Sequence, residues 1–110
     1  MEIRKVGIVG AGAMGSGIAQ ICAQTGWDTV LYDAYPDSLK KGQEGILRFW
    51  QRGIEKGKTG EVEVASWKTN LRTSSDLGDV SRGMDLIIEA VPEKIDLKKS
   101  VFLELEALAP

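Results

Sequence analysis

The sequence predicts an α/β domain built on a parallel sheet of the doubly wound type. Three observations support this: a glycine-rich turn between an apolar strand and a helix, an alternation of strand and helix patterns along the chain, and a mainly apolar run at residues 85–90. With right-handed crossovers, the expected strand order is 3-2-1-4, which is half of a complete doubly wound sheet.

The first element is a short apolar strand at residues 6–9, followed by the glycine turn. Gly10, Gly12 and Gly15 fill the G-x-G-x-x-G spacing of a dinucleotide-binding turn. In such a turn the first glycine lets the chain leave the strand sharply, the second leaves room for a pyrophosphate, and the third lets helix and strand pack closely. The start of the helix, with its unpaired N–H groups and positive dipole end, favours a bound phosphate.

The context of the turn makes this prediction specific. Residues then recur at helical spacing: Met14, Ile18, Ile21 and Thr25. Gly26 ends the helix, and a second strand at residues 29–32 leads to Asp33. Asp33 lies 33 − 10 = 23 residues after Gly10, close to the roughly 20 residues expected for an acid that binds the adenosine ribose. Its carboxylate would repel a 2′-phosphate, and no basic residue follows before Lys40, so NAD is favoured over NADP.

A helical hairpin is predicted between the second and third strands. A proline suits the first turn of a helix over residues 36–55, in which Gly42 and Gly45 need a close packing partner or leave the helix locally weak. The expected buried face comprises Leu39, Gln43, Ile46, Trp50, Gly53 and Ile54. A glycine-rich turn leads to residues 61–68, which suit a short helix better than a strand. We expect the aromatic side chains of the hairpin to lie in its core: Phe49, Trp50 and Trp67.

Two further strands follow the hairpin. Residues 71–73 suit a short strand, and Ser74 or Ser75 can cap a brief helix that extends to about Val80. Residues 85–90 are typical of a parallel strand buried on both faces. A last helical stripe comprises Leu97, Val101, Leu105 and Leu108. Because a fifth strand is missing, we also expect an exposed hydrophobic sheet edge along the fourth strand, liable to dimerise or swap.

Composition and charge exclude several classes of function. The chain has 110 residues, with 14 basic and 16 acidic side chains and a net charge of −2, so a basic surface for nucleic acid or an anionic membrane is not expected. The chain has no histidine, the commonest general base and metal ligand. Cys22, the only cysteine, is predicted to be a small buried apolar side chain, and a reducing compartment such as the cytoplasm is favoured. We expect no metal site.

The run Asp-Leu-Ile-Ile-Glu-Ala-Val-Pro-Glu at residues 85–93, with Lys98 downstream, is a second distinctive stretch beside the glycine turn and Asp33. Together these stretches resemble the amino-terminal NAD-binding domain of the 3-hydroxyacyl-CoA dehydrogenases, including the 3-hydroxybutyryl-CoA dehydrogenases. The resemblance extends from about Val6 to the last residue. It implies a Rossmann-type doubly wound sheet, incomplete here, with the helical hairpin inserted between strands 2 and 3.

The resemblance also implies which residues bind ligands. Those expected around NAD are Gly10, Ala11, Gly12, Ala13, Met14, Gly15, Asp33, Ala90, Val91, Glu93 and Lys98. On the CoA side, Lys56 or Lys58 could meet a phosphate of CoA as a point charge. Phe49 stands where some members of the family carry a serine for CoA.

The activity implied for the longer parent enzyme is oxidation of a 3-hydroxyacyl-CoA to the 3-oxoacyl-CoA with NAD, in fatty-acid or butanoate metabolism and as a homodimer. The family's catalytic histidine and its carboxy-terminal dimerisation and substrate domain would come later than Pro110. We therefore expect residues 1–110 to form the NAD-binding domain and to be inactive alone. The alternatives are a free-standing NAD-binding or structural module, as in crystallin-like relatives of dehydrogenases, and an FAD-binding module.

Overall fold

Eight elements of secondary structure follow one another in residues 3–90, the part of the chain that the computed structural model describes. In chain order they are β1 (Lys5–Val9), α1 (Ala13–Thr25), β2 (Asp28–Tyr32), α2 (Pro36–Glu55), α3 (Glu61–Thr69), β3 (Leu71–Ser74), α4 (Leu77–Ser81) and β4 (Leu86–Glu89). The predicted alternation is confirmed, including the α2–α3 hairpin between the second and third strands. The helical stripe predicted after Pro92 lies outside the described residues.

The four strands form one parallel sheet in the order β3-β2-β1-β4. In β1, Val6 pairs with Thr29 of β2 on one side and with Leu86 of β4 on the other. The predicted order 3-2-1-4 is therefore confirmed. The strand order reverses between β1 and β4, and open α/β sheets bind their ligands beyond the carboxyl ends of the strands at such a point.

Helices cover both faces of this sheet. On one face, α1, α2 and α3 enclose the larger hydrophobic cluster, whose most buried members are Val6, Ile8, Ala19, Ala23, Leu31, Ile46, Trp50 and Val64. On the other face, α4 packs on a smaller cluster of Val9, Val30, Tyr32, Leu77 and Val80. Among the helices in residues 3–90, none combines the length and the apolar character that crossing a membrane requires.

Helix α1 buries a different face from the one that the large apolar residues indicate. Met14 and Ile21 are 71% and 64% exposed. The buried residues of this helix are instead small: Gly15, Ala19, Cys22 and Ala23. Small side chains let the helix axis approach the sheet closely. The burial predicted for Cys22 is confirmed, and it raises the pKa of the thiol.

Helix α2 buries the predicted face. Trp50 is 1% exposed, its ring centroid lies 5.7 Å from that of Trp67, and its Nε1–H donates to Oε1 of Gln24 at 2.8 Å. The prediction that Phe49 belongs to the same core is wrong, because its side chain is 62% exposed. Adjacent residues of an α-helix point about 100° apart, so α2 cannot bury both rings on one narrow face.

The cap of α4 differs from the prediction. The carboxylate of Asp76, rather than the hydroxyl of Ser74 or Ser75, accepts the N–H of Gly78 at 2.8 Å. Ser74 contributes indirectly, because its hydroxyl oxygen accepts the N–H of Asp76 at 3.0 Å. Asp76, immediately before the helix, is therefore the cap, and the hydrogen bond to Ser74 helps to hold it in position.

Strand β4 is less buried than its apolar sequence indicates. Leu86 is 36% exposed, and the other residues of the strand are half-buried, so the prediction of burial on both faces is wrong. The reason is its place in the sheet: in residues 3–90, β1 is its only neighbouring strand. The liability to dimerise or swap along this edge remains a prediction.

Asp85 joins the beginnings of β1 and β4. Its Oδ2 accepts the backbone N–H groups of Arg4 at 2.9 Å and Lys5 at 3.0 Å. These hydrogen bonds, first that of Arg4 and then that of Lys5, lower the pKa of the carboxyl below its ordinary value of 3.8. Because the folded pKa is lower than the unfolded pKa, the carboxylate stabilises the fold above about pH 4, and this contribution is lost as the pH falls through the folded value.

We therefore expect Asp85→Asn to lower the free energy of unfolding at about pH 7, and the deficit to shrink on acidification to about pH 2.5. Urea unfolding of the variant and the parent protein across this range measures the effect. Asp37→Asn, at an exposed acid of α2, is the matched control. A deficit that stays constant with pH would contradict the role of the charged carboxylate.

Candidate functional site

The glycine turn joins the carboxyl end of β1 to the first turn of α1. Gly10 has a φ of 108°, which is costly for residues that carry a Cβ. Its N–H donates to the carbonyl oxygen of Tyr32 at 2.8 Å, which ties the turn to the end of β2. A Cβ on Gly15 would clash with the carbonyl oxygen of Gly10. The turn therefore requires glycine at both positions for its own geometry.

At Gly12, between these two positions, the packing of the described residues does not require a glycine. Apart from its neighbours along the chain, a Cβ at this position would meet no atom of residues 3–90 within 4 Å. Gly12 is the N-cap of α1, with φ −68° and ψ −172°, and the first N–H groups of an α-helix have no acceptor within the helix. The open space beside Gly12 and these N–H groups, including those of Ala13 and Met14, form a cradle suited to an anionic group.

Asp33 lies directly after β2, next to this cradle. Its Oδ2 accepts the N–H of Ala11 at 2.9 Å, and its Oδ1 accepts the N–H of Tyr35 at 2.8 Å. Because each carboxylate oxygen can accept about two hydrogen bonds, both oxygens keep capacity for hydroxyl donors. The carboxylate thus braces the glycine turn against the β2–α2 loop while remaining able to bind a vicinal diol.

Ala90 lies immediately after β4 and against the glycine turn. Its N–H donates to the carbonyl oxygen of Val9 at 2.7 Å, and its Cβ lies 3.4 Å from where a Cβ on Gly15 would stand. The carboxyl ends of β1, β2 and β4 therefore converge on the turn. The other residues expected near this side lie outside the described residues: Val91, Glu93 and Lys98.

A cleft of about 430 Å³ continues from the turn between α1 and α2. Its walls include Gly12, Ser16, Gly17, Lys41, Gly45 and Phe49. Helix α2 lies close to α1 and to the glycine turn at Gly42, where a Cβ would lie 2.6 Å from Oγ of Ser16 and 2.7 Å from the carbonyl oxygen of Ala11. This contact explains the glycine inside α2. A Cβ on Gly45 would meet nothing within 4 Å among the described residues.

Sequence reasoning missed this cleft. The available signal was the pair Gly42 and Gly45 on one helix, together with the small residues on the opposing face of α1. Neither Lys56 nor Lys58 lines the cleft. Lys56 is the C-cap of α2, about two turns beyond Phe49. In residues 3–90, moreover, no group of three or more acidic, cysteine or histidine side chains is arranged to hold a metal ion.

Comparison with known proteins shows the family to which the chain belongs. Residues 5–110 match the family model described as 3-hydroxyacyl-CoA dehydrogenase, NAD binding domain. The chain is 36% identical over 110 residues to a probable 3-hydroxybutyryl-CoA dehydrogenase of Bacillus subtilis, covering 100% of this chain and 38% of that protein. It is 37% identical over 112 residues to the mitochondrial hydroxyacyl-coenzyme A dehydrogenase of Mus musculus, covering 97% and 36%.

Solved structures agree with the sequence comparison. The (S)-3-hydroxybutyryl-CoA dehydrogenase PaaH1 of Ralstonia eutropha has a TM-score of 0.92 and 36% identity, with 99% of this chain and 38% of that chain covered. FadB2 of M. tuberculosis has a TM-score of 0.93 and 34% identity, with 100% and 38% covered. The chain thus spans well under half of the length of each of these proteins.

Proposed function

Because the chain belongs to the 3-hydroxyacyl-CoA dehydrogenase family, of which it matches the NAD-binding domain, we propose specific roles for its residues toward NAD. The turn at Gly10, Gly12 and Gly15, with Ala11, Ala13 and Met14, binds the pyrophosphate. Asp33 accepts hydrogen bonds from the hydroxyls of the adenosine ribose. Ala90 lines the nicotinamide side, and Val91, Glu93 and Lys98, outside the described residues, complete the proposed set.

The main support for this proposal is a direct hydrogen bond between the glycine turn and Asp33. The N–H of Ala11, inside the glycine turn, donates to Oδ2 of Asp33 at 2.9 Å. A ligand that placed a phosphate in the cradle would therefore have its adjoining sugar beside the carboxylate. NAD offers this pair of groups, a pyrophosphate joined to a ribose with two free hydroxyls.

The charge of Asp33 supports NAD over NADP. A 2′-phosphate would replace one of the hydroxyl donors by an anion next to a carboxylate. No basic side chain stands between Asp33 and Lys40 to compensate. We expect the site to prefer the cofactor without the 2′-phosphate.

The contribution of this chain to the reaction is binding and orientation. NAD supplies the hydride acceptor for the oxidation of an alcohol. The turn stabilises the negative charge of the pyrophosphate with backbone N–H groups and the α1 dipole. Asp33 sets the position of the adenosine half of NAD. The carboxyl end of β4 directs the nicotinamide half away from β2. These residues hold the cofactor and transfer no proton.

For the longer protein, we propose the reversible oxidation of a 3-hydroxyacyl-CoA to the 3-oxoacyl-CoA, in a homodimer of the cytoplasm that serves fatty-acid β-oxidation or butanoate metabolism. The names of the matched relatives support the substrate class. We propose that residues 1–110 form the NAD-binding domain and do not catalyse the reaction alone. Lys56 and Lys58 remain proposed contacts for a CoA phosphate.

Titration of the chain with NADH and, separately, with NADPH tests the cofactor assignment through the fluorescence of the nicotinamide. We expect saturable binding of NADH, and at least about tenfold weaker binding of NADPH because a charge pair of like sign costs on the order of 1–2 kcal/mol in such a site. Circular dichroism establishes that the sample is folded. A folded sample that binds neither cofactor, or binds both equally, would contradict the assignment.

A further inference from the structure

Tyr35 is a large side chain left exposed beside the ribose carboxylate. It is 64% exposed and belongs to neither hydrophobic cluster of residues 3–90. The ring pair found in the described part of the chain joins Trp50 and Trp67 and does not involve Tyr35. The ring therefore contributes little to the packing of the fold, although it stands two residues after Asp33.

The backbone of Tyr35 is nevertheless held in place. Its N–H donates to Oδ1 of Asp33 at 2.8 Å, and its carbonyl oxygen accepts the N–H of Leu39 at 3.1 Å as the N-cap of α2. Pro36 follows and restricts the preceding residue to extended conformations, as the φ of −103° and ψ of 112° show. Only two side-chain torsions remain free, so a ligand can order the ring at a small entropic cost.

From this arrangement we propose that the ring of Tyr35 covers one face of the adenine of bound NAD. The same carboxylate that anchors the backbone of Tyr35 accepts the ribose hydroxyls in the proposed function, on which this inference rests. A single bond joins the adenine to that ribose, so the base lies within reach of the side chain of Tyr35. Aromatic rings stack on bases through the π-face and need no hydrogen-bond match.

Two other exposed apolar side chains lie on α1 and α2, but their positions differ from that of Tyr35. Met14 projects from the first turn of α1, which faces the pyrophosphate, and Phe49 lines the cleft between α1 and α2. Neither is bonded to Asp33 in the described structure, whereas Tyr35 is. Of these three exposed side chains, only that of Tyr35 therefore belongs to a residue whose backbone is held by the carboxylate proposed to bind the ribose.

The experiment compares Tyr35→Ala and Tyr35→Phe with the parent chain in titrations with NADH, and with ADP-ribose as a competitor that keeps the adenosine half. We expect Tyr35→Ala to weaken the binding of both NADH and ADP-ribose about tenfold, which is the effect of losing one base-stacking contact. Tyr35→Phe keeps the ring and should bind within about twofold of the parent. Val62→Ala, which truncates an 85% exposed side chain of α3, is the matched control and should have no effect.

The results distinguish a failure of the adenine contact from a failure of the NAD site. Equal NADH affinity in Tyr35→Ala and the parent, while Asp33→Ala loses binding, would overturn the adenine contact and leave the proposed function standing. Equal losses in Tyr35→Phe and Tyr35→Ala would assign the effect to the hydroxyl and overturn the stacking. Absence of NADH binding by the folded parent would overturn both. Thermal unfolding of each variant shows whether a loss of affinity reflects a loss of folded protein.

Discussion

Replacing Asp33 with alanine is expected to weaken NADH binding by at least about a hundredfold. The change removes the acceptor for the ribose hydroxyls, and hydrogen bonds to a charged group are worth about 1.5–3 kcal/mol each. It also removes the brace that ties the N–H of Ala11 to the carboxylate at 2.9 Å, so the glycine turn loses a positioning contact. Nicotinamide fluorescence, with circular dichroism on the same samples, measures the loss.

The matched control for this substitution is Asp37→Ala, four residues further along the chain. Asp37 is an exposed acid in the first turn of α2 and takes no part in the site. Its replacement should leave the NADH affinity unchanged. If Asp33→Ala and Asp37→Ala bound NADH equally well, the carboxylate of Asp33 would not be the ribose ligand. The ratio of NADH to NADPH affinity should also fall in Asp33→Ala, because the repulsion of the 2′-phosphate disappears.

Gly15→Ala is expected to abolish NADH binding and to lower the free energy of unfolding by roughly 3 kcal/mol, at the upper end of overpacking effects. The added Cβ would overlap the carbonyl oxygen of Gly10, and it would also lie 3.4 Å from Cβ of Ala90. Because the first obstacle is backbone, no side-chain rotation relieves it, and α1 must shift away from β1. Urea unfolding measures the stability, and NADH titration measures the binding.

Gly17→Ala, two residues further along the same helix, separates this clash from a general effect of alanine in α1. A Cβ on Gly17 would meet nothing within 4 Å among the described residues. Alanine there should raise the free energy of unfolding by roughly 0.5–1 kcal/mol, since glycine inside a helix costs about that much. A Gly15→Ala variant as stable as the parent would show that the turn can open without loss, and would refute the close packing of α1 on β1.

The spacing of residues was sufficient to select the centre of the candidate site, whose binding role remains a prediction. Gly10, Gly12 and Gly15 were identified from a local motif, and Asp33 from its distance along the chain and its place after a strand. A motif of this kind can be recognised in the sequence because the geometry of a strand, a turn and a helix in direct succession depends on residues that are neighbours along the chain. The brace from Ala11 to Asp33 was not predicted, because it joins two loops that come together only when β1 and β2 pair.

Helical periodicity alone did not show which faces of α1 and α2 are buried. Phe49 was predicted to lie in the core of the hairpin, and Met14 and Ile21 recur at helical spacing in α1, yet each of the three is more than half exposed. In α1 the closely approaching sheet selects small residues, and in α2 the buried stripe is occupied by Trp50. Periodicity identifies a helix correctly, but the face that it buries depends on the shape of the partner surface.

The sequence by itself determined the class of fold, the order of its elements, the glycine turn and the acid that follows β2, because these depend on neighbours along the chain and on the handedness of crossovers. The tertiary structure decided which side chains surround the site: Gly42 against α1, the open cleft beside it, and Tyr35 exposed next to Asp33. These depend on contacts between residues far apart in sequence, whose distances and free volume arise only when the helices pack on the assembled sheet.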